Sequence, residues 1–341
     1  MKNKKNLIGL LSLAVLLVVL IVGYLIAKTH NGTETDGSDE TPEETLYVTN
    51  YDNDLMTKLT YETGGNTITL VKNSGGIWQL EDNELFPLRS TAALSMTSAV
   101  STLTAARTVE GDDLAAYGLD APSFNVTAEY SDGTTVSLSA GNTSSYGGEY
   151  VIDNISGRVY LVDMFSGAFY TTLSDIVEVD EFPDIDTAYL VSMSLSDKYG
   201  NTNTVTDEKG LEEAAKLFIE LKFSSAAWVA AVETEKLSEY GISDSSHFAE
   251  LAYKEESTAQ NSDGTTSTVR SDTSFKLIFG DRYVRASTST DEDGNQVETE
   301  KIMYYYTTPG SNLVYSVDES AYEKLMAYAL YTPSETADSG E

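Results

Sequence analysis

From Leu7 to Ala27 the chain carries no charged residue, and its apolar positions cover every face of a helix rather than one stripe. That pattern belongs to a membrane span, and the run is about the ~20 residues a helix needs to cross a bilayer. Lys2, Lys4 and Lys5 precede it and Lys28 closes it. This imbalance predicts a cytoplasmic N-terminus and an extracytoplasmic remainder. The run exceeds the roughly 7–15 apolar residues of a cleavable signal peptide. Cleavage after Ala27 would also put Leu25 where a small residue is needed. The expectation is therefore an uncleaved signal anchor over residues 7–27, with a basic tip at 1–6. Residues 28–45 are polar, acidic and poor in large apolar side chains, the composition of a flexible stalk.

Beyond the stalk the pattern changes to short alternating runs. Tyr47–Asn50, Lys58–Tyr61, Thr67–Val71 and Ile77–Leu80 read as strands, with turns at Gly64-Gly65 and Ser74-Gly75-Gly76. Helical spacing then appears in Ala93, Met96, Val100 and Leu103, and again in Leu211, Ala214, Phe218 and Leu221. The order of elements repeats. Ala116-Tyr117-Gly118-Leu119-Asp120 matches Glu239-Tyr240-Gly241-Ile242-Ser243, and a strand follows each (Phe124–Tyr130 and Phe248–Tyr253). Asp-Gly turns come next, at Asp132-Gly133 and Asp263-Gly264. Strands ending in Gly141 and Gly280 follow, then tyrosine-bearing strands with Tyr150 and Tyr304–Tyr306. Val159–Asp163 and Val314–Asp318 each open a short helix, expected over Met164–Leu173 and Glu319–Tyr331. Two insertions in the second copy, near Glu255–Asp272 and Ser287–Thr299, read as extended hairpin tips. The predicted fold is α+β: two tandem related modules of mostly antiparallel sheet with packed helices, residues 46–187 and 188–331, after one N-terminal transmembrane helix. An acidic tail occupies 332–341.

The formal net charge is −33. A surface this acidic repels phosphate backbones and argues against nucleic-acid binding. Its other consequences are solubility outside the cell or selection of basic partners and divalent cations. There is no cysteine, which excludes disulfides, thiolate chemistry and a lipid-bearing thiol.

Ile77-Trp78-Gln79-Leu80, the helix from about Arg89, Tyr117-Gly118-Leu119-Asp120-Ala121-Pro122, Gly141 and Val159-Tyr160-Leu161-Val162 carry a resemblance. The chain resembles the bacterial family called domain of unknown function 4340 (DUF4340), closely over 46–187 and more loosely over 188–331. Tyr240, Gly241, Gly280 and Tyr315 continue the motif in the second copy, where Ser243 and Ser245 replace Asp120 and Pro122. The resemblance implies a membrane-anchored protein associated with gliding-motility-type ABC transporter components, and brings no catalytic residues. Physically, Tyr117 packs, Gly118 takes a backbone angle other residues resist, and Pro122 stops the helix before it.

Chemistry is scarce. Of the two histidines, His30 lies in the stalk and His247 just before a strand. No Gly-x-Ser-x-Gly elbow, Ser-x-x-Lys, P-loop or Gly-x-Gly-x-x-Gly is present. The acidic run Asp175–Asp186 reads as a solvated linker, a cation site, or paired carboxylates of the kind glycoside hydrolysis uses. Asp291, Asp293, Gly294 and Glu300 match positions 3, 5, 6 and 12 of a calcium loop, although Ser289 holds position 1. An Asp-Gly hairpin turn explains the same residues. Tyr304-Tyr305-Tyr306 offers faces for stacking sugars or, in a strand, half-buried rings. The expected function is a non-enzymatic, membrane-anchored extracytoplasmic scaffold or accessory subunit of a transporter-like membrane system, with no cofactor unless calcium. The alternative is a module binding envelope glycans or peptides, and a third is a hydrolase using acidic residues.

Overall fold

Runs of alternating side chains closed by glycine turns build the first sheet. The structure, a computed structural model, describes residues 45–333 apart from 111–112, 146, 244–246, 261–263 and 291–295. The first strands are β1 (Tyr47–Asn50), β2 (Met56–Thr63), β3 (Asn66–Lys72) and β4 (Trp78–Leu80). Helix α1 (Ser90–Ser101) follows, then β5 (Thr102–Val109), β6 (Phe124–Tyr130), β7 (Thr135–Thr143), β8 (Glu149–Asp153) and β9 (Val159–Val162). In β6, Phe124, Val126, Ala128 and Tyr130 are buried and the residues between them are not. The nine strands pair antiparallel in the order β1-β5-β9-β8-β7-β6-β2-β3-β4.

The second sheet contains β10 (Leu190–Ser196), β11 (Thr202–Val205), β12 (Trp228–Ala231), β13 (His247–Gln260), β14 (Thr266–Thr290), β15 (Gln296–Thr307) and β16 (Leu313–Asp318). Helix α2 (Glu208–Ile219) lies between β11 and β12, and α3 (Glu319–Met326) follows β16. The strand order is β11-β10-β13-β14-β15-β16-β12. Read from the other end it repeats the order β5-β9-β8-β7-β6-β2-β3, with the same sequence of elements along the chain. The first sheet adds β1 beyond β5 and β4 beyond β3.

The helices cover one face of each sheet. Ala92, Ala93, Met96 and Val100 of α1 are buried, as are Leu211, Ala214 and Phe218 of α2. Asp207 caps α2 by accepting from Gly210 N at 2.9 Å, and Asp318 caps α3 by accepting from Ser320 N at 2.9 Å. The main buried cluster draws residues from both sheets, and Leu46 onward clusters as one compact unit.

Several expectations are corrected. Leu103 lies in β5 and Leu221 beyond α2. Met164–Leu173 is not a helix. It holds a 3₁₀ turn at Ser166–Ala168, and a second begins at Leu173. The Glu149 carboxylate accepts from Phe165 N (3.1 Å), Ser166 N (2.8 Å) and Ser166 Oγ (2.6 Å), which fixes a tight turn there. Gly141 and Gly280 do not end their strands. β7 and β14 continue past both, each with a register break at the glycine. The 3₁₀ turn Leu114–Tyr117 stops at Gly118, which is left-handed (φ 68°), and not at Pro122.

The acidic junction is a strap rather than a solvated linker. Ile176 and Val177 are buried, and Asp175 closes a capping box with Thr172. Phe182 packs against Phe218, Phe223 and Phe275. Asp180 Oδ2 accepts from Ser311 Oγ (2.6 Å) and Tyr315 OH (3.0 Å), while Asp180 N donates to that hydroxyl (2.8 Å).

Among the described residues no helix is long and apolar enough to cross a membrane. The span predicted over Leu7–Ala27 lies outside them, as do residues 28–44 of the stalk, with His30, and the tail from 334.

Candidate functional site

A slot of about 500 Å³ lies where the two sheets meet, within the usual range for ligand sites of about 300–1,000 Å³. Its walls are two strand edges. On one side, β4 covers only Leu70–Lys72 of β3, leaving Asn66–Ile68 without a strand partner on that side. Glu81 N reaches Thr69 O at 3.0 Å. Because backbone groups alternate sides along a strand, those of Thr67 face the slot. On the other side stands β12, the last strand of its sheet. Its Ala231 O points across the slot and accepts from Asn83 Nδ2 at 3.0 Å. Val229 lines the slot at the register break of β12 between Trp228 and Ala230.

Phe86 and Trp228 form the apolar floor, meeting edge to face at 5.4 Å. The indole Nε1 of Trp228 is buried and has no hydrogen-bond partner. Asn66, Thr67, Thr69 and Thr172 supply polar lining. Past the Asn83–Ala231 bond the slot opens into a second hollow with Asp82, Glu84 and Glu233 at its mouth. Lys236 stands there too, 3.2 Å from the Glu233 carboxylate. The arrangement offers backbone pairing, an indole donor and net negative charge at one end.

Trp78 borders this region in β4, with the Lys72 ammonium 5.2 Å from its ring centroid. The Tyr-Gly turns lie elsewhere, and they do the same thing in both sheets. Tyr117 packs on Tyr150 (4.7 Å) and Tyr240 on Tyr305 (5.0 Å). Leu119 is buried with Val109 and Val159, and Ile242 with Ile278 and Val314. Gly118 and Gly241 are both left-handed at φ 68°. A Cβ on Gly141 would overlap the Tyr117 carbonyl, and one on Gly280 the Tyr240 carbonyl. Asp120 is exposed and Pro122 half-buried. Tyr160 and Tyr315 are buried in β9 and β16.

The tyrosine triplet makes no platform for sugars. Tyr304 and Tyr306 are 2% and 1% exposed, while Tyr305 turns to the other face and stacks on Tyr283 at 4.3 Å. Of the calcium candidates, Asp291 and Asp293 lie outside the described residues, and Glu300 is exposed in β15 opposite Ala286. Among the described residues no three His, Asp or Glu side chains group to hold a metal. The slot went unforeseen because strand edges become a site only once strand order is known. The one local signal was the short tryptophan strand at Trp78–Leu80, too short to cover its neighbour.

The family model described as domain of unknown function (DUF4340) matches residues 78–244. The match opens at Trp78 and runs across the junction to just past the second Tyr-Gly turn, supporting the family to which the motifs pointed. No curated protein and no solved structure matches the chain.

Proposed function

We propose that this chain is a non-catalytic, membrane-tethered extracytoplasmic accessory protein that holds an extended segment of a partner in the slot between its sheets. The observation that carries the reading is the pair of open strand edges at Asn66–Ile68 and Val229–Ala231. An open edge binds an extended peptide through main-chain hydrogen bonds, with pockets selecting alternate side chains. The unpartnered Trp228 Nε1 is placed for a peptide carbonyl, and Asp82, Glu84 and Glu233 favour a basic residue at one end. The uncharged run Leu7–Ala27 supports the tether. The matching strand orders support two modules derived from one ancestor. The partner class implied by the family resemblance is a subunit of an ABC-transporter-type system in the same membrane.

The test is affinity capture of the full-length protein from its native membrane, beside Thr67→Pro and Trp228→Phe variants, the second of which removes the unpartnered indole donor. Proline removes an outward N–H and is tolerated on an edge strand. The expected result is stoichiometric transporter subunits with the natural chain and about tenfold less with each variant, at unchanged melting temperature. Recovery of the protein alone, or equal recovery by the variants, overturns the reading.

A further inference from the structure

The second sheet holds a smaller hollow of about 290 Å³ beside its Tyr-Gly turn, away from the slot. Lys198, Gly241, His247, Asp281, Arg282 and Tyr304 line it. His247 is 5% exposed. It lies between the rings of Phe279 (5.8 Å, stacked) and Tyr322 (5.7 Å, edge on). Its Nε2 is buried without a hydrogen-bond partner.

The first sheet treats the same place differently. His247 pairs with Phe279, one residue before Gly280. Phe124 pairs with Ala140, one residue before Gly141. By register, therefore, His247 stands where Phe124 does, and Phe124 is packed against Phe165 (5.7 Å) and Phe169 (4.6 Å). Tyr304 likewise stands where Glu149 does, since Tyr306 faces Phe279 as Val151 faces Ala140. The aromatic plug of the first sheet is thus replaced by an imidazole with an unused nitrogen. A buried polar atom left unpaired costs free energy, and packing does not require one here, because the first sheet fills the position with a phenyl ring.

The surrounding charges are of both signs. Lys198 Nζ donates to Tyr304 OH at 2.8 Å. Arg282 Nη1 lies 3.8 Å from the Glu319 carboxylate. Asp197 is spent within its own turn, accepting from Tyr199 N, Asn201 N and Asn201 Nδ2. Asp281, by contrast, makes no side-chain hydrogen bond or ion pair among the described residues. A dianion would meet Asp281 and Glu319 as well as the −33 charge of the chain. A ligand carrying both signs meets complementary groups.

We propose that this hollow binds a small free amino acid, its carboxylate held by Lys198 and Tyr304, its ammonium by Asp281, and His247 Nε2 closing the set. The site is independent of peptide docking in the slot.

The chain has two histidines, so ring-labelled full-length protein in detergent micelles gives two sets of imidazole NMR signals. Alanine, acetate, methylamine and inorganic phosphate are titrated in turn to about 10 mM, tenfold above a millimolar Kd. Alanine is expected to shift the His247 signals saturably and leave those of His30 in place. Acetate and methylamine, each half of the zwitterion, are expected to bind about tenfold more weakly. Lys198→Met and Asp281→Asn, both at exposed positions, each weaken alanine binding by about the same factor at unchanged melting temperature. The proposal is overturned if alanine causes no saturable shift, if acetate or phosphate binds as well as alanine, or if both variants bind it normally.

Discussion

His247 shows what one side chain changes between two similar sheets. Burial, reinforced by Lys198, lowers its pKa to about 4, with Asp197 and Asp281 opposing. The Arg282 guanidinium and the hydroxyls of Tyr304 and Tyr322 also lie near it. An exposed imidazole titrates near 6.5. Between those values the unfolded chain takes up a proton that the folded chain refuses. The stability contributed by neutral His247 is therefore complete above about pH 6.5 and is lost as pH falls toward 4. Its size is up to about 3 kcal/mol. His247→Phe, which installs the first sheet's residue, should flatten this part of the stability–pH curve relative to the natural chain, as read by urea unfolding between pH 4 and 7. Parallel curves would mean that His247 takes up its proton over the same pH range in the fold as in the unfolded chain. Sequence pattern put His247 just before a strand, whereas it is the first residue of β13 and lies in a core, because its neighbours Phe279, Tyr304 and Tyr322 arrive from distant segments. Gly141 and Gly280 were legible as a recurring mark. Their reason was not, since the carbonyl that excludes a side chain belongs to a turn more than 20 residues earlier in the chain.

At the scale of elements, alternation and turn chemistry located most strands, and the two insertions are hairpin extensions as their composition suggested. What could not be read was their direction. Residues 266–279 of β14 pair with β13, and residues 278–279 and 282–290 pair with β15. The two extensions therefore leave the sheet at opposite ends, one closing at Gln260–Thr266 and the other at Thr290–Gln296. Most side chains from Lys254 to Gln260 and all from Gln296 to Lys301 are exposed, so neither arm adds much core. The first arm is fastened at its side, where the Arg270 guanidinium lies 4.3 Å from the Tyr189 ring centroid and pairs with Glu256. Joining Glu255 to Ser271 through an Asn-Gly turn removes that arm and should cost less than about 1 kcal/mol in a denaturant titration. A larger loss would show that the arm supports the sheet. The correspondence of the two copies misled at Met164–Leu173, where a carboxylate from β8 captures the first N–H groups and Gly167 offers little helix propensity.

For the whole molecule, the decisive feature is the strap between the sheets. Its acidic composition suggested solvent, yet Asp180 is bound to Tyr315, whose side chain is fully buried in the second sheet. Tyr315→Phe removes one donor to Asp180 Oδ2 and the acceptor of Asp180 N, and should cost about 1–3 kcal/mol. With the sheets sharing one core, the natural chain should unfold in a single transition in guanidinium, and the variant should shift its midpoint. Two separated transitions in the natural chain would show instead that each sheet melts alone. The long β14 has a mechanical consequence. Its 25 residues, at ~3.3 Å each, make a fibre of roughly 80 Å that runs through both arms. Tension between the arm tips would run along the strand axis, loading the bonds to β13 and β15 together in shear rather than unzipping them one at a time. A pull on one arm would reach the other through the middle of β14, where Leu277 and Phe279 are buried, making this sheet a beam anchored in the core and gripped on both sides.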